Sequence, residues 1–373
     1  MKKIKLFDPY VGDEEKASVE RVLNSHFWAS GAGTNSVNKF EQKFKKYVGS
    51  NECVAVNSGT AALNLALSLS DIKNKEVIVS SLTFVSTVNA IKLNQGKPIF
   101  CDVNPKTGCI SIEDIKKKIS KKTIAILPVH FGGLSCDLKN INDMCKSNKL
   151  HLIEDAAHAA GAAFGGKKIG SHGEFVCFSF HPVKNLAMPT GGIISINHKN
   201  YKKISRYLEA MRWCGITDRK GSLYDVKDLG NNYYMNEFSA AIGLMQLKKI
   251  NKMNNRRKEI LIFHAASAGE FEQIQPILVA LEEREKYLIV QTFTSPTVYE
   301  EQKNNVLFDV CCYHPYDFIW LSYGFFKKIL PSKYIITRHD IWPVHLLVCK
   351  YLNIPRYYIN ANIHNKSIWS YKL

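Results

Sequence analysis

FVCFSFHPVKNLAMPTGGIISI, residues 175–196, sets two apolar runs on either side of a short loop that carries one lysine and two glycines. Runs this short, rich in aromatic and β-branched residues, read as strands. Five earlier runs follow the same pattern: CVAVN (53–57), EVIVS (76–80), PIFCDV (98–103), TIAILPV (123–129) and LHLIED (150–155). Amphipathic stretches lie between them, such as TAALNLALSLS after the first and SIEDIKKKIS before the fourth. That alternation predicts an α/β fold, a largely parallel sheet covered by helices. Ligands gather at the carboxyl ends of such strands, so the informative residues are expected there.

Composition agrees with a globular class. The 373 residues are enough for two or three cores, and 46% hydrophobic with 22% charged residues excludes a disordered tail, a collagen-like repeat and a small disulfide scaffold. No stretch reaches the roughly 18–20 uninterrupted apolar residues of a membrane span. The start, MKKIKLFDPYVGDEE, turns polar before a signal sequence develops, so a cytoplasmic location is expected. Ten scattered cysteines include one adjacent pair, Cys311-Cys312, and no CxxC, which argues against a zinc site or other metal centre and for reduced thiols. The net charge of +17 lies wholly in residues 1–258, with 39 Lys/Arg against 22 Asp/Glu, whereas residues 259–373 hold 11 of each. The lysines are spread among asparagines rather than gathered in a stripe, which points to a solvated surface and not to a nucleic-acid partner.

After Arg256-Arg257-Lys258 the pattern restarts with no Gly/Ser/Pro-rich linker. ILIFHAASAGEFEQIQPILVALEERE reads as strand, small-residue loop and helix; YLIVQTF (287–293), KYIITRHDIWP (333–343) and PRYYINANI (355–363) give three further strands. The expected domains are residues 1–258 and 259–373.

Within the first, candidate chemistry sits at strand ends. Asn57-Ser58-Gly59-Thr60 joins a strand to a helix, where amide groups and a small residue suit a phosphate. Asp155 ends the fifth run, Thr83-Phe84 follows the second, and Ser179 and Lys184 lie in SFHPVKN. Each has a plainer reading: Lys184 as a solvated charge, Asp155 as a helix cap, Phe84 as core, His158 and His181 as packed histidines.

In order, WASGAGTNSVNKFEQKFKKYVG, NSGTAAL, the Thr83-Phe84 pair, EDAAHA, SFHPVKN and NNYYMNEFSAAIGLMQL resemble the DegT-type nucleotide-sugar aminotransferases across nearly all of residues 3–258. The resemblance implies the large domain of fold type I and pyridoxal 5′-phosphate (PLP) as cofactor. It makes Lys184 the amine that takes the cofactor aldehyde and later moves a proton, and Asp155 the carboxylate facing the pyridine nitrogen. Phe84 is implied to stack on the ring, His158 to sit beside it, and Gly59, Thr60 and Ser179 to hold the phosphate. Asn236 matches a position that reaches the neighbouring subunit's site, which implies a homodimer. The implied reaction passes an amino group, usually from glutamate, to a ketone on a nucleotide-linked sugar in polysaccharide or lipopolysaccharide synthesis. MPTGG (188–192) departs from relatives with an acidic residue before the paired glycines, which leaves the sugar open and a nonsugar acceptor with it.

HAASAGE (264–270), TFTSPTVYE (292–300), YHPYD (313–317), HDIWP (339–343) and INANI resemble a different family, the acceptor-side N-terminal half of the Kdo (3-deoxy-manno-octulosonate) transferases. That likeness implies a Rossmann-like half of a GT-B glycosyltransferase, with Glu270 as general base and a surface for peripheral membrane contact; a Glu opening a helix is the plainer reading. Arg338-His339-Asp340 stands where relatives carry a more acidic run. The family's membrane-associating helix and donor lobe have no counterpart in these residues, so glycosyl transfer is not expected. Two families joined near Glu259-Ile260 read as a fusion or a recombined junction. The rival readings are a glycosyltransferase fragment on an N-terminal scaffold and a noncatalytic protein of the PLP fold.

Overall fold

The computed structural model describes residues 9–220, 222–255, 259–281, 284, 287–337 and 342–359. Its contacts divide the chain into two compact units, Met1–Met253 and Asn254–Leu373.

All seven apolar runs of the first unit become strands of one sheet. They are β1 (Glu52–Val56), β2 (Glu76–Ser80), β3 (Lys97–Cys101), β4 (Thr123–Leu127), β5 (His151–Asp155), β8 (Phe175–Ser179) and β9 (Gly192–Ile196), in the order β1-β9-β8-β5-β4-β2-β3. Two small hairpins, unmarked by any apolar run, complete the strand set: β6 (Ala163–Phe164) with β7 (Lys167–Lys168), and β10 (Ile216–Lys220) with β11 (Leu223–Val226). From β3 to β8 every pairing is parallel, whereas β9 runs antiparallel to both β8 and β1. A parallel return needs a crossover of a dozen residues or more, usually helical. The irregular loop of residues 180–191 supplies no helix, so the chain turns back on itself and brings Lys184 to the carboxyl end of β8.

Helices cover both faces. Phe40 and Phe44 of α2 (Ser36–Val48), Leu138 and Ile141 of α6 (Leu138–Asn148), and Leu244 and Ile250 of α8 (Glu237–Asn255) belong to one core layer. Leu65 of α3 (Gly59–Ser68), Ile91 of α4 (Val85–Leu93) and Leu208 of α7 (Tyr201–Met211) belong to the other. The remaining helices are α1 (Asp13–Ser25) and α5 (Ile112–Lys118). Apart from the edge strand β3, the sheet strands are largely buried, which explains why their runs read as continuously apolar.

One ion pair crosses this core. The Arg212 guanidinium lies 2.6 Å from Glu41 Oε1, with the two side chains 1% and 5% exposed. Both also grip Ala55 of β1: its N–H donates to Glu41 Oε1 at 2.8 Å, and its carbonyl accepts from Arg212 Nη1 at 2.8 Å. Burial pushes the Glu41 carboxyl upward, and the Arg212 charge and the Ala55 N–H oppose the shift. A second Arg212 nitrogen donates to the Ala32 carbonyl at 3.3 Å, which ties the entry segment of residues 28–35 to the strand that ends beside Ser58-Gly59.

The second unit is a five-stranded parallel sheet. In chain order it holds β12 (Glu259–Ala265), α9 (Ala268–Val279), β13 (Tyr287–Phe293), α10 (Pro296–Gln302), β14 (Val310–Tyr313), α11 (Ile319–Ile329), β15 (Lys333–Thr337), α12 (Pro343–Tyr351) and β16 (Arg356–Ile359). The strand order β14-β13-β12-β15-β16 reverses direction beside the first strand, the doubly wound arrangement. Reading the apolar runs finds four of these strands and misses β14, a four-residue edge strand with no buried residue. Residues 338–341, including Arg338-His339-Asp340, and residues 360–373, including the end of INANI, lie outside the described residues. Among the described residues no helix is long and apolar enough to cross a membrane.

Replacing Arg212 by Met leaves the Glu41 carboxylate buried without its cation, and should cost about 3–5 kcal/mol of stability. Replacing Glu41 by Leu in the same chain should recover most of that loss. Urea denaturation of the wild type and both variants checks the pair of outcomes.

Candidate functional site

Asp155 closes β5 with its backbone held on both sides: its N–H donates to the Pro128 carbonyl at 2.9 Å, and its carbonyl accepts from the His130 N–H at 3.1 Å. The side chain is 4% exposed. A carboxylate so buried needs donors. The Ala157 N–H reaches Oδ1 at 3.1 Å, and the Thr87 hydroxyl reaches Oδ2 at 2.7 Å. Thr87, itself fully buried, accepts in turn from the Thr83 hydroxyl at 2.8 Å. The two threonines stand one helical turn apart across the start of α4, where side chains at i and i+4 share a face.

Lys184 lies in the turn after β8, where its N–H donates to the His181 carbonyl at 2.8 Å. Burial pushes its ammonium below the ordinary lysine value, and the charge of Asp155 pulls it partly back. His158 is pushed down by burial and by the charge of Lys184, again opposed by Asp155. These mutual effects put the amine, the carboxylate and the imidazole in one electrostatic neighbourhood. Gly132 donates its N–H to His158 Nδ1 at 3.3 Å, so the neutral ring carries its proton on Nε2. The loop that brings Gly132 there is fastened from below. Fully buried His130 accepts from the Cys136 N–H at Nδ1, 3.1 Å away, and meets Glu154 Oε2 through Nε2 at 2.8 Å.

The third component is the N-terminus of α3. Ser58 caps it, its hydroxyl oxygen accepting from the Ala61 N–H at 3.1 Å and its carbonyl from the Ala62 N–H at 3.1 Å. The N–H groups of Gly59 and Thr60 find no acceptor among the described residues, which leaves two orphan donors at a positive dipole end. Glycine is required here by close approach. A Cβ on Gly59 would stand 2.7 Å from Ser179 Cβ, and one on Gly192 would stand 2.3 Å from the Ser58 carbonyl oxygen. Gly192 of MPTGG therefore seats the Ser58-Gly59 loop, and Thr190 donates its hydroxyl to the Asn57 carbonyl at 2.5 Å.

The structure thus brings together Gly59, Thr60, Asp155, His158, Ser179 and Lys184 at one carboxyl edge. Phe84 stands at its rim, 73% exposed, so it is not a core residue. Asn236 caps α8, its side-chain oxygen accepting from the Ser239 N–H at 2.8 Å. Glu270 belongs to the second unit, where Oε2 accepts from the Ala266 N–H at 2.6 Å near the start of α9. Sequence reading missed Thr87 and Thr190. Thr87 had one available signal, its i+4 spacing from Thr83.

Comparison with known proteins supplies the wider setting. The model of the DegT/DnrJ/EryC1/StrS aminotransferase family matches residues 9–307, running past residue 258, where the motif resemblance stopped. The GDP-perosamine synthase of Escherichia coli O157:H7 is 35% identical over 275 residues, 74% of this chain and 74% of the relative. Among solved structures, PseC of Helicobacter pylori, an aminotransferase involved in the biosynthesis of pseudoaminic acid, superposes with a TM-score of 0.64 at 27% identity, covering 68% of each chain. DesV of S. venezuelae, in complex with a ketimine intermediate, gives 0.61 at 29% identity over 71% of this chain and 67% of its own.

Lysine is reactive when unprotonated, so Lys184 should be modified by trinitrobenzenesulfonate with a pH midpoint below that of ordinary surface lysines in the cofactor-free protein. Asp155→Asn removes the charge that holds the ammonium on, and should move the midpoint lower still. Peptide mass spectrometry across a pH series reads both; a midpoint that stays at or above the surface value contradicts the burial argument.

Proposed function

The chain belongs to the DegT/DnrJ/EryC1/StrS aminotransferase family and is a PLP-dependent aminotransferase; from that premise we propose that it moves an amino group from glutamate to the ketone of a nucleotide-linked sugar for cell-surface polysaccharide or lipopolysaccharide synthesis. The relatives named above support the sugar reading. The observation that carries it is the meeting of a half-buried amine, a buried carboxylate and an open helix N-terminus at one edge of the sheet.

The residues present fit the cofactor. Gly59 packs so closely on Ser179 that no side chain could occupy the cradle, and the free N–H groups of Gly59 and Thr60 beside the Ser179 hydroxyl suit a phosphate. The carboxylate of Asp155 has lone pairs left over from Ala157 and Thr87 to accept a ring N–H. When bound, PLP supplies a protonated pyridine ring that acts as an electron sink. The chain's own part is to hold and move protons. Lys184 Nζ, biased toward its neutral form by burial, can accept the proton that leaves the substrate carbon and return it elsewhere. His158, kept neutral, can donate from Nε2 without adding a second positive charge beside Lys184. Phe84 offers an exposed ring face at the rim.

The working form is proposed to be a homodimer, with Asn236 near the partner's site. Supporting it are the exposed apolar side chains around the rim, Leu82, Phe84, Val85 and Phe131, and those of the β10–β11 hairpin, Leu223, Tyr224 and Val226. For residues 259–373 we keep the likeness to the acceptor-side lobe of a Kdo transferase of the GT-B fold, supported by the doubly wound strand order and by Glu270 in the first turn of the helix after its first strand. Such chemistry works in a cleft between two lobes, and these residues supply one.

Reconstituted with PLP, the protein should show a visible absorbance band that borohydride reduction fixes to Lys184 and that Lys184→Ala abolishes. Glutamate should shift the band and a nucleotide keto sugar should restore it. A colourless protein would overturn the proposal, and a band insensitive to every amino donor would point instead to a noncatalytic cofactor-binding protein.

A further inference from the structure

Thr87 is bonded in a way that a core threonine in a helix ordinarily is not. Such a hydroxyl usually turns back to a carbonyl of its own helix. Thr87 instead donates to Asp155 Oδ2, a partner 68 residues away, at 2.7 Å. A hydroxyl has one proton to give, and a carboxylate can only accept, so the Thr87 proton is committed to Asp155. The contact with the Thr83 hydroxyl at 2.8 Å must then run from Thr83 to Thr87. The result is a directed chain of donors, Thr83 to Thr87 to Asp155, with its middle member fully buried.

We infer that Thr87 is a positioning residue for the cofactor: it orients the Asp155 carboxylate toward the pyridine nitrogen. The inference rests on the PLP reading above. Ala157 fixes Oδ1 and Thr87 fixes Oδ2, so the carboxylate plane is held at two points and only its remaining lone pairs face the site. Without the hydroxyl, Oδ2 loses a charge-assisted bond in a place water does not reach, and the carboxylate is free to turn about its side-chain bonds. The same chain ends in the β2–α4 loop, where Thr83 directly precedes Phe84.

The test measures cofactor binding rather than turnover, in the full-length chain. Wild type, Thr87→Val and Thr87→Ser are titrated with PLP and with an analogue whose ring nitrogen is replaced by C–H. Thr87→Val keeps the shape and removes the hydroxyl, so PLP should bind about 10-fold more weakly, whereas Thr87→Ser should stay within about 2-fold of wild type. The analogue has no nitrogen for Asp155 to meet and should bind wild type and Thr87→Val alike. Equal PLP affinity in wild type and Thr87→Val would overturn the inference. So would a loss that falls equally on PLP and the analogue, since that is a packing defect. Should the wild type itself take up no PLP, the function proposed above falls, and this inference falls with it.

Discussion

A carboxylate placed at the end of a doubly covered strand must be met by donors or lose its charge, and at Asp155 the chain itself supplies two, the Ala157 N–H and the Thr87 hydroxyl. Much of the carboxyl edge is arranged around that requirement. The backbone of Asp155 fixes His130, His130 and Glu154 fasten the loop that carries Gly132, and Gly132 sets the tautomer of His158. The charge that remains on the edge is what Lys184 senses.

The balance at Lys184 follows from two opposed effects. Burial favours the neutral amine and the carboxylate favours the ammonium; burial dominates, and the net shift is downward. In the proposed site, a stronger ion pair would hold the proton on and spoil a nucleophile, while an amine with no carboxylate nearby would leave the ring nitrogen without a partner. The distance is set by topology. Asp155 ends β5 and Lys184 follows β8, and these strands are parallel neighbours, so their carboxyl ends emerge side by side. The end proposed to take the phosphate is set in the same way by β1 and β9, since the approach of the Ser58 carbonyl to Gly192 leaves no room for a side chain there.

Much of the architecture was legible in the residues alone. The seven apolar runs of the first unit marked its seven sheet strands; six are largely buried, and a strand buried on both faces leaves an uninterrupted apolar stretch, while β3 at the edge is mostly not buried. Where burial is shallow the signal depends on side-chain type: β14 and the exposed β11 have no buried residue and did not announce themselves, whereas β16, an edge strand with none either, was marked by its Tyr357-Tyr358-Ile359 run. Lys184, Asp155 and Ser179 were legible because each stands directly at the end of such a run. Thr87 was not. In a helix start reading VSTVNA, the i+4 spacing from Thr83 is a weak signal, and the role of the threonine shows only once the residue it touches, 68 positions away, is known.

Sequence by itself determined the order of strands and helices, the residue types at the strand ends and the restart after residue 258, since these depend on local periodicity and composition. Tertiary structure decided which ends became neighbours, that β9 turns back antiparallel, and that Asp155 is reached by the Thr87 hydroxyl. Periodicity constrains a chain over a few residues, whereas sheet order and burial bring distant residues together and change what their charges cost, and it is those distant pairs that turn an amine and a carboxylate into a site.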